Sequence, residues 1–251
     1  MYRLVIAISR LLFQMLGLRI QVDGARHVPQ SGPAILVSNH VSFLDFIFVG
    51  LAARPSGRFV RFLTRYDVWH NVIAGPAMTA MRHVPVDRAA PAGAFLEARA
   101  ALIRGEVVGV FPEAGISRSF TVRALMPGAV ALSRSTGAPV VLVALWGPQR
   151  IATAGLPLNL RRRRPISIAV SPPIALPADG SVRDATIELG KQLQQLVDGV
   201  QQRHPVQPRL GCPDRRHPAH LGGAAPTAAA AATKADVPRA AVRPPDRGGR
   251  F

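Results

Sequence analysis

The residues with the clearest potential for chemistry are His40 and Asp45, which are five positions apart. Five residues on a straight helix turn by about 500°, so the two side chains would lie on different faces of a helix. They can meet only if the chain turns between them, with His40 on a loop and Asp45 in the first turn of a helix. The carboxylate would then hold one imidazole nitrogen protonated and leave the other free to accept a proton. No serine or cysteine stands at a recognisable nucleophile turn, so the pattern favours a histidine base that acts on a substrate hydroxyl.

A purely structural role for this stretch is the alternative. Asn39 and His40 would then only cap the following helix and form local hydrogen bonds. The preceding run from Ala34 to Val37 predicts a strand buried on both faces, because it leaves no polar alternation for a solvent side. Chemistry at the end of that strand would lie at the carboxyl edge of a sheet, where open α/β folds place their sites.

A second polar cluster follows a second buried-strand pattern. The strand is expected at 107–111, and the block after it contains Glu113, Gly115, Ser117 and Arg118. A glycine at position 115 permits a close approach of the backbone to an anion.

These two blocks, in this order, resemble the glycerolipid acyltransferase family, the PlsC-like 1-acyl-sn-glycerol-3-phosphate acyltransferases that make phosphatidic acid. The resemblance covers about residues 20 to 175. It comprises Asn-His-x-x-x-x-Asp at 39–45, Val-Pro-Val-Asp-Arg at 84–88, Phe-Pro-Glu at 111–113 and Ala-Pro-Val-Val at 138–141. The first motif is specific, and the other three gain weight from their order and spacing.

The resemblance implies transfer of an acyl chain from acyl-CoA or acyl carrier protein to the free hydroxyl of lysophosphatidic acid, without a metal or a further cofactor. It makes His40 the catalytic base and Asp45 the acid that orients it. It also implies a set of substrate-binding residues, namely Arg88, Glu113, Gly115, Ser117 and Arg118. Arg88 would grip the phosphate, and Glu113 would hold the glycerol or order its loop. The alternatives are that Arg88 pairs with Asp87 and that Glu113 only anchors the loop.

Two departures from the family pattern concern the acceptor. The family block usually reads Phe-Pro-Glu-Gly-Thr-Arg-Ser, whereas this chain has Ala114, Gly115 and Ile116 at the Gly, Thr and Arg positions. Arg118 is placed to restore the lost charge. Many relatives also carry a lysine where this chain has Met126. Another lysolipid or a glycolipid therefore remains open as the acceptor.

Strand-like and helix-like segments alternate along the body of the chain. This alternation predicts an α/β fold with a mainly parallel central sheet flanked by helices. Strands are expected at 19–23, 34–37, 58–63, 83–86, 107–111, 140–145 and 166–170. Helices are expected at 45–53, 91–104, 127–136 and 182–202, with two short helices broken at Gly75-Pro76 within 67–81.

We expect the chain to divide into a membrane-associated helix at 1–19, an acyltransferase domain at 20–202 and a disordered tail at 203–251. Arg3 and Arg10 interrupt the apolar N-terminal stretch, so it is too short and too charged for a membrane span. It favours an interfacial helix whose arginines reach phosphate headgroups, with a helix packed on the domain's own core as the alternative. We expect the protein at the cytoplasmic face of a membrane, as a peripheral or monotopic protein.

The expected tail is rich in Ala, Pro, Gly and Arg and has almost no large apolar residue. Such a composition cannot bury enough surface to offset the entropy of the chain. The single cysteine, Cys212, lies in it and fits a reducing compartment.

The net charge of +17 includes nine basic and three acidic residues at 201–251, so both the body and the tail are basic. Such charge attracts anionic lipid headgroups, phosphorylated substrates or nucleic acid. The chain has only two Trp and two Tyr and no zinc-ligand spacing, so nucleic acid is not expected as a partner. A non-catalytic membrane or nucleic-acid binding protein remains the alternative class, and it predicts that His40 and Asp45 lie far apart. Arg150, at the end of a strand, is a further candidate anion contact.

Overall fold

The computed structural model of the chain describes residues 2–72, 74–87, 89–208, 214–233 and 240–242. This part of the chain contains seven strands and seven α-helices. The strands are β1 Arg19–Asp23, β2 Ala34–Ser38, β3 Val60–Arg65, β4 Val84–Val86, β5 Val107–Val110, β6 Val140–Trp146 and β7 Pro165–Val170. The helices are α1 Tyr2–Met15, α2 Asp45–Ala53, α3 Ala74–Ala80, α4 Pro91–Ile103, α5 Gly128–Thr136, α6 Val182–Arg203 and α7 Ala228–Ala232.

The seven strands form one sheet in the order β1-β7-β6-β2-β5-β3-β4. Every neighbouring pair is parallel except β6 and β7, which run antiparallel. Each described strand lies where the sequence predicts one, and the expected mainly parallel α/β fold is confirmed. The central strands β2, β5 and β6 are buried along their whole length, as expected for strands covered by helices on both faces.

Alternate residues of the central strands enter two separate apolar cores. On one face of the sheet, Ile35 and Val37 pack with residues of α4, α5 and α6. On the other face, Ala34 and Leu36 pack with residues of α1 and α2. Because β2 and β5 are parallel neighbours, with Val37 beside Val110, the loops that follow them emerge at the same edge of the sheet. This register places the two polar blocks side by side.

One helix differs from expectation. The break predicted at Gly75-Pro76 is absent, because α3 begins at Ala74 and places both residues in its first turn. Proline is tolerated there, since the first N–H groups of a helix have no partner within the helix. The chain before α3 forms a short 3-10 helix at Tyr66–His70.

Helix α1 packs on the domain through one narrow face. Phe13 is buried and stacks on Phe48, with ring centroids 4.8 Å apart, and the Tyr2 hydroxyl donates to the Val60 carbonyl at 3.0 Å. The helix leaves large apolar side chains exposed elsewhere, namely Leu4, Ile8, Leu11, Leu12 and Met15. Among the residues that the structure describes, every helix is too short or not apolar enough to span a bilayer.

Part of the segment expected to be a disordered tail is built into the domain. His204 and His217 are buried, and Ala225 belongs to the same apolar core as α4, α5 and α6. Within the tail that composition predicts, residues 214–233 form one turn-rich loop and α7. Few side chains are needed to anchor this segment, because the domain supplies the surface against which it packs. Cys212 and the other tail residues at 209–213, 234–239 and 243–251 lie outside the described residues.

Candidate active site

The structure brings His40 and Asp45 together at the carboxyl end of β2. His40 lies on the loop that follows the strand, and Asp45 is the first residue of α2. The chain turns between them, so that Nδ1 of His40 lies 2.9 Å from Oδ2 of Asp45. This is the turn that the spacing of the two residues requires. The arrangement has the geometry of a base and its orienting acid.

The surroundings of Asp45 fix the tautomer of His40. Asp45 is fully buried, and its Oδ2 also accepts the backbone N–H groups of Val41 at 2.6 Å and Ser42 at 2.7 Å. Because the oxygens of an ionised carboxylate can only accept hydrogen bonds, Nδ1 of His40 donates to Oδ2, and Nε2 is left as the proton acceptor. Burial raises the pKa of the Asp45 carboxyl, and these hydrogen bonds oppose that rise. An imidazolium formed beside this carboxylate would be stabilised by its charge.

Glu113 holds the backbone of His40 and does not face the cavity. Its side chain is buried, with Oε1 accepting the His40 N–H at 2.7 Å and Oε2 accepting the Arg123 N–H at 2.9 Å. Burial raises the pKa of Glu113 to about 7, against the pull of those two hydrogen bonds. The geometry matches the alternative in which Glu113 anchors the loop, and direct contact with substrate stays a prediction.

Ser117 also lies inside the loop. Its N–H donates to the carbonyl of His40 at 2.7 Å, and its hydroxyl donates to the Thr121 carbonyl at 2.7 Å. The side chain is fully buried. Ser117 therefore holds the second block against the first.

Asn39 does not cap the following helix. Its side-chain amide donates to the Leu145 carbonyl at 3.0 Å, and its carbonyl oxygen accepts the Leu145 N–H at 2.7 Å. The side chain thereby continues the pairing of β2 with β6 beyond the last residue of β2. This fixes the point at which the chain leaves the sheet and presents His40.

His40 lines a cavity of about 1870 Å³. Its ring stacks on Phe111 with centroids 4.5 Å apart, and about a fifth of its side chain is exposed. The walls of the cavity come from the loops after β2 and β5, from β3, and from α3, α4, α5, α6 and α7, and most of the lining surface is apolar. A cavity of this kind can take a long apolar chain beside a proton acceptor.

Gly115 and Arg118, both predicted to bind substrate, line this cavity. Arg123 lines it too, and sequence reasoning missed this residue. A Cβ on Gly115 would lie 3.0 Å from Nη1 of Arg123, so the missing side chain lets the guanidinium pack against the loop. Nη2 of Arg123 is buried without a hydrogen-bond partner among the described residues. The loop has no helical or strand period that could have marked Arg123 beforehand.

Two other arginines, Arg88 and Arg150, were also suggested as contacts for a substrate anion. Arg88 lies outside the described residues, so its predicted grip on phosphate stays a prediction. Arg150 is buried and forms an ion pair with Asp214, with Nη1 2.8 Å from Oδ2. Its Nη2 lies 2.6 Å from Nδ1 of His217. The suggestion that Arg150 contacts a substrate anion is therefore wrong, because its charge is used within the protein. In the described part of the chain, no group of three or more His, Cys, Asp or Glu side chains is placed to hold a metal ion.

A family model described as Acyltransferase matches residues 19–146, which is half of the chain. The chain belongs to this family. The match begins at β1 and ends with β6, so it includes His40, Asp45 and Glu113 with the strands that position them.

Curated relatives of this acyltransferase-family chain include two 1-acyl-sn-glycerol-3-phosphate acyltransferases. The chloroplastic LPAT1 of Arabidopsis thaliana is 31% identical over 141 residues, which are 55% of this chain and 38% of the relative. The human alpha enzyme is 31% identical over 133 residues, 51% of this chain and 46% of the relative. The chain thus spans less than half the length of these curated relatives.

A solved structure shares the fold of this family member. The crystal structure of the 1-acyl-sn-glycerophosphate (LPA) acyltransferase PlsC from Thermotoga maritima aligns with a TM-score of 0.65 at 20% identity. The alignment covers 81% of each chain. It extends the likeness of fold beyond the residues that the family model matches.

The loop after β5, which departs from the pattern of the acyltransferase family at 114–116, contains a strained residue. Ala114, at the position where the family pattern has glycine, has a φ of +53°. A side chain in this left-handed region costs about 1–2 kcal/mol relative to the right-handed region. The loop that carries Glu113 keeps a glycine-like backbone although the glycine is gone.

We expect Ala114→Gly to raise the free energy of unfolding by up to about 1 kcal/mol. Relief of the strain exceeds the roughly 0.4–1 kcal/mol that glycine adds to the entropy of the unfolded chain. Urea unfolding measures the change. The matched control is Ala178→Gly in an exposed loop with ordinary φ, which should lower stability. A lower unfolding midpoint for Ala114→Gly than for wild type would contradict the assignment of strain.

Proposed function

We propose that this protein transfers an acyl chain from acyl-CoA or acyl carrier protein to the free hydroxyl of lysophosphatidic acid, giving phosphatidic acid. The observation that carries the proposal is the contact of 2.9 Å between Nδ1 of His40 and the buried Asp45, at the wall of a largely apolar cavity. Family membership and the two 1-acyl-sn-glycerol-3-phosphate acyltransferases among the relatives support the choice of acceptor. The alternative of a non-catalytic binding protein predicts a wide separation of the two side chains, and the observed distance counts against it.

The reaction follows from the geometry of His40. Nε2 takes the proton of the acceptor hydroxyl while that oxygen forms a bond to the thioester carbonyl carbon. The tetrahedral intermediate then expels the thiolate as the carbon–sulfur bond breaks. The imidazolium, stabilised by Asp45, returns the proton to the thiolate. As proposed, the reaction uses only the acyl donor and the acceptor.

We expect His40→Ala to reduce acyl transfer by at least about a hundredfold, because general acid–base catalysis contributes that much or more. Asp45→Asn should also reduce kcat strongly, since an amide cannot stabilise the imidazolium by charge. The measurement uses labelled palmitoyl-CoA and lysophosphatidic acid with each purified variant, and circular dichroism checks folding. His70→Ala removes an exposed imidazole that does not line the cavity and should keep wild-type activity. Equal transfer by wild type and His40→Ala would refute the proposed mechanism.

The acceptor carries a phosphate, so its site needs fixed positive charge. Arg118 and Arg123 line the cavity, and the backbone of Arg123 is tied through Glu113 to the backbone of His40. Glu113 thereby fixes the backbone of Arg123 relative to the backbone of His40. We infer that Arg118 and Arg123 hold the phosphate, with Arg88 as the further contact that the family resemblance implies.

Arg118→Met and Arg123→Met should each raise the KM for lysophosphatidic acid about tenfold or more, because a hydrogen bond to a charged group contributes about 1.5–3 kcal/mol. The KM for the acyl donor should change less. Arg183→Met removes one charge from the exposed start of α6, away from the cavity lining, and should leave both values unchanged. An unaltered KM for lysophosphatidic acid in both cavity variants would rule out this binding role.

A second acceptor class is favoured by one observation. Ile116 replaces the arginine of the family block and lines the cavity, so the headgroup site is more apolar than the family pattern. A lysolipid with another headgroup or a glycolipid would suit such a site. The same assay with a panel of lysolipids decides between them, and exclusive use of lysophosphatidic acid would remove the second class.

We further propose that the protein lies on the cytoplasmic face of a membrane as a peripheral or monotopic protein. The apolar side chains of α1 that face away from the domain are exposed, and Arg3 and Arg10 on the same helix are also exposed. Apolar side chains can enter the acyl region of a bilayer while the arginines reach the headgroups.

We expect the double variant Leu11→Ser, Leu12→Ser to lose more than tenfold in affinity for phosphatidylglycerol vesicles, because burial of each leucine contributes roughly 1.5–3 kcal/mol. Co-sedimentation of the full chain measures binding. Leu96→Ser, an equally exposed leucine on α4 that does not line the cavity, is the control and should bind as wild type does. Undiminished binding by the double variant would contradict the role of α1, and protease protection in oriented membrane vesicles tests the face.

A further inference from the structure

Residues 214–233, which we call the C-terminal wall, form one side of the cavity that contains His40. Six of the residues that line the cavity from this segment are Ala219, His220, Ala228, Ala229, Ala231 and Ala232. The segment lies beyond residues 19–146, which the family model matches. It is therefore a part of the cavity that the family match does not describe.

A buried polar cluster anchors the start of the wall. Asp214 pairs with the buried Arg150, which lies just beyond β6. His217 contacts the same guanidinium at 2.6 Å, and its ring lies edge-on to Trp146 with centroids 5.6 Å apart. Burial lowers the pKa of His217 to about 4, so the ring is neutral at neutral pH and can accept from Arg150. The Arg150 side chain is buried, whereas about a third of the Asp214 side chain is exposed. Loss of Asp214 would leave the buried guanidinium without its carboxylate partner, so the pair helps to hold the wall in place.

The backbone between the anchor and α7 forms a closed loop. The N–H of Ala224 donates to the Asp214 carbonyl at 3.0 Å, and the N–H of Ala225 donates to the His217 carbonyl at 3.0 Å. Gly223 is required in this loop, because a Cβ there would lie 2.2 Å from the His217 carbonyl oxygen. Ala225 then enters the apolar core beside α6. The loop is thus fixed at both of its ends.

Helix α7 continues directly from this loop and is made only of alanines. Thr227 caps it, with the Ala230 N–H donating to the Thr227 hydroxyl at 3.2 Å. Four of its five residues line the cavity, and Ala230 does not. The methyl groups of alanine form no hydrogen bonds. They are also the smallest side chains that a helix can present, so they leave more of the cavity volume free than any larger side chain would. Both properties suit a long hydrocarbon chain.

We propose that the C-terminal wall limits the length of the hydrocarbon chain that the active site accepts. This inference depends on the proposed acyltransferase activity, because the chain belongs to one of its two substrates. The chain is either the acyl group of the donor or the acyl group of the lysolipid acceptor, and the two have the same chemistry. Larger side chains on the cavity face of α7 shorten the space, whereas the same change at Ala230 does not.

The test compares Ala231→Leu and Ala232→Leu with the matched control Ala230→Leu. All three keep a strong helix former in α7, and circular dichroism checks that each variant folds. One arm varies the donor from octanoyl-CoA to stearoyl-CoA with a single lysophosphatidic acid. The other arm fixes octanoyl-CoA and varies the chain of lysophosphatidic acid over the same lengths.

We expect the ratio of kcat/KM for the longest chain to that for the shortest to fall about tenfold or more in the two cavity variants, since a mismatch in an apolar pocket costs at least that much. The fall in only one arm identifies which substrate the wall contacts. Ala230→Leu should keep the wild-type ratio. Unchanged ratios in both arms for both cavity variants would overturn the inference.

A variant that weakens the contact between Asp214 and Arg150 tests the inference independently. Asp214→Asn removes the charge that pairs with Arg150, so the wall is held less firmly, and the ratio of kcat/KM for the longest chain to that for the shortest should rise above the wild-type ratio. An unchanged profile in Asp214→Asn with a lowered unfolding midpoint would overturn the claim that the anchored wall sets chain length. Absence of acyl transfer by the wild type with every donor and acceptor would refute the proposed function itself, a different outcome from activity without length selection.

Discussion

Two buried carboxylates hold His40, and the rest of the site depends on this constraint. Asp45 accepts the imidazole N–H and Glu113 accepts the backbone N–H of the same residue, while Ser117 donates to its carbonyl. The N–H groups of a loop that leaves a sheet have no ladder partner, and they would be costly to bury unpaired. The carboxylates satisfy those groups and in the same step fix the ring at the cavity wall.

This arrangement buries two acidic side chains inside a basic protein. Burial raises the pKa of Asp45 and of Glu113, and in each case hydrogen bonds from the loop oppose the rise. The arginines near the site have two different surroundings. Arg150 is used to dock residues 214–233, whereas Arg118 and Arg123 line the cavity. The net charge of the whole chain therefore does not indicate how much positive charge lines the cavity.

The central strands and most of the helices could be predicted from the sequence, because their apolar runs and end signals are local. Unbroken apolar runs indicated β2 and β5 as strands covered on both faces, and polar residues at their ends indicated the edge that carries the site. The break expected at Gly75-Pro76 was wrong because a proline in the first turn of a helix interrupts no hydrogen bond. The loop and helix at 214–233 could not be located from composition, since their anchor is the ion pair of Asp214 with Arg150 and the contact of His217 with the same guanidinium.

The sequence by itself indicated which pair of side chains meets, because the spacing of His40 and Asp45 allows contact only across a turn. It also determined the order of the strands along the chain. Only the tertiary structure decided which arginines face the cavity, since Arg118, Arg123 and Arg150 differ in their partners and in no local pattern. Only the tertiary structure showed that the alanine helix α7 forms part of the cavity wall. Contacts between residues far apart in the chain create both features, and no periodicity in the sequence records them.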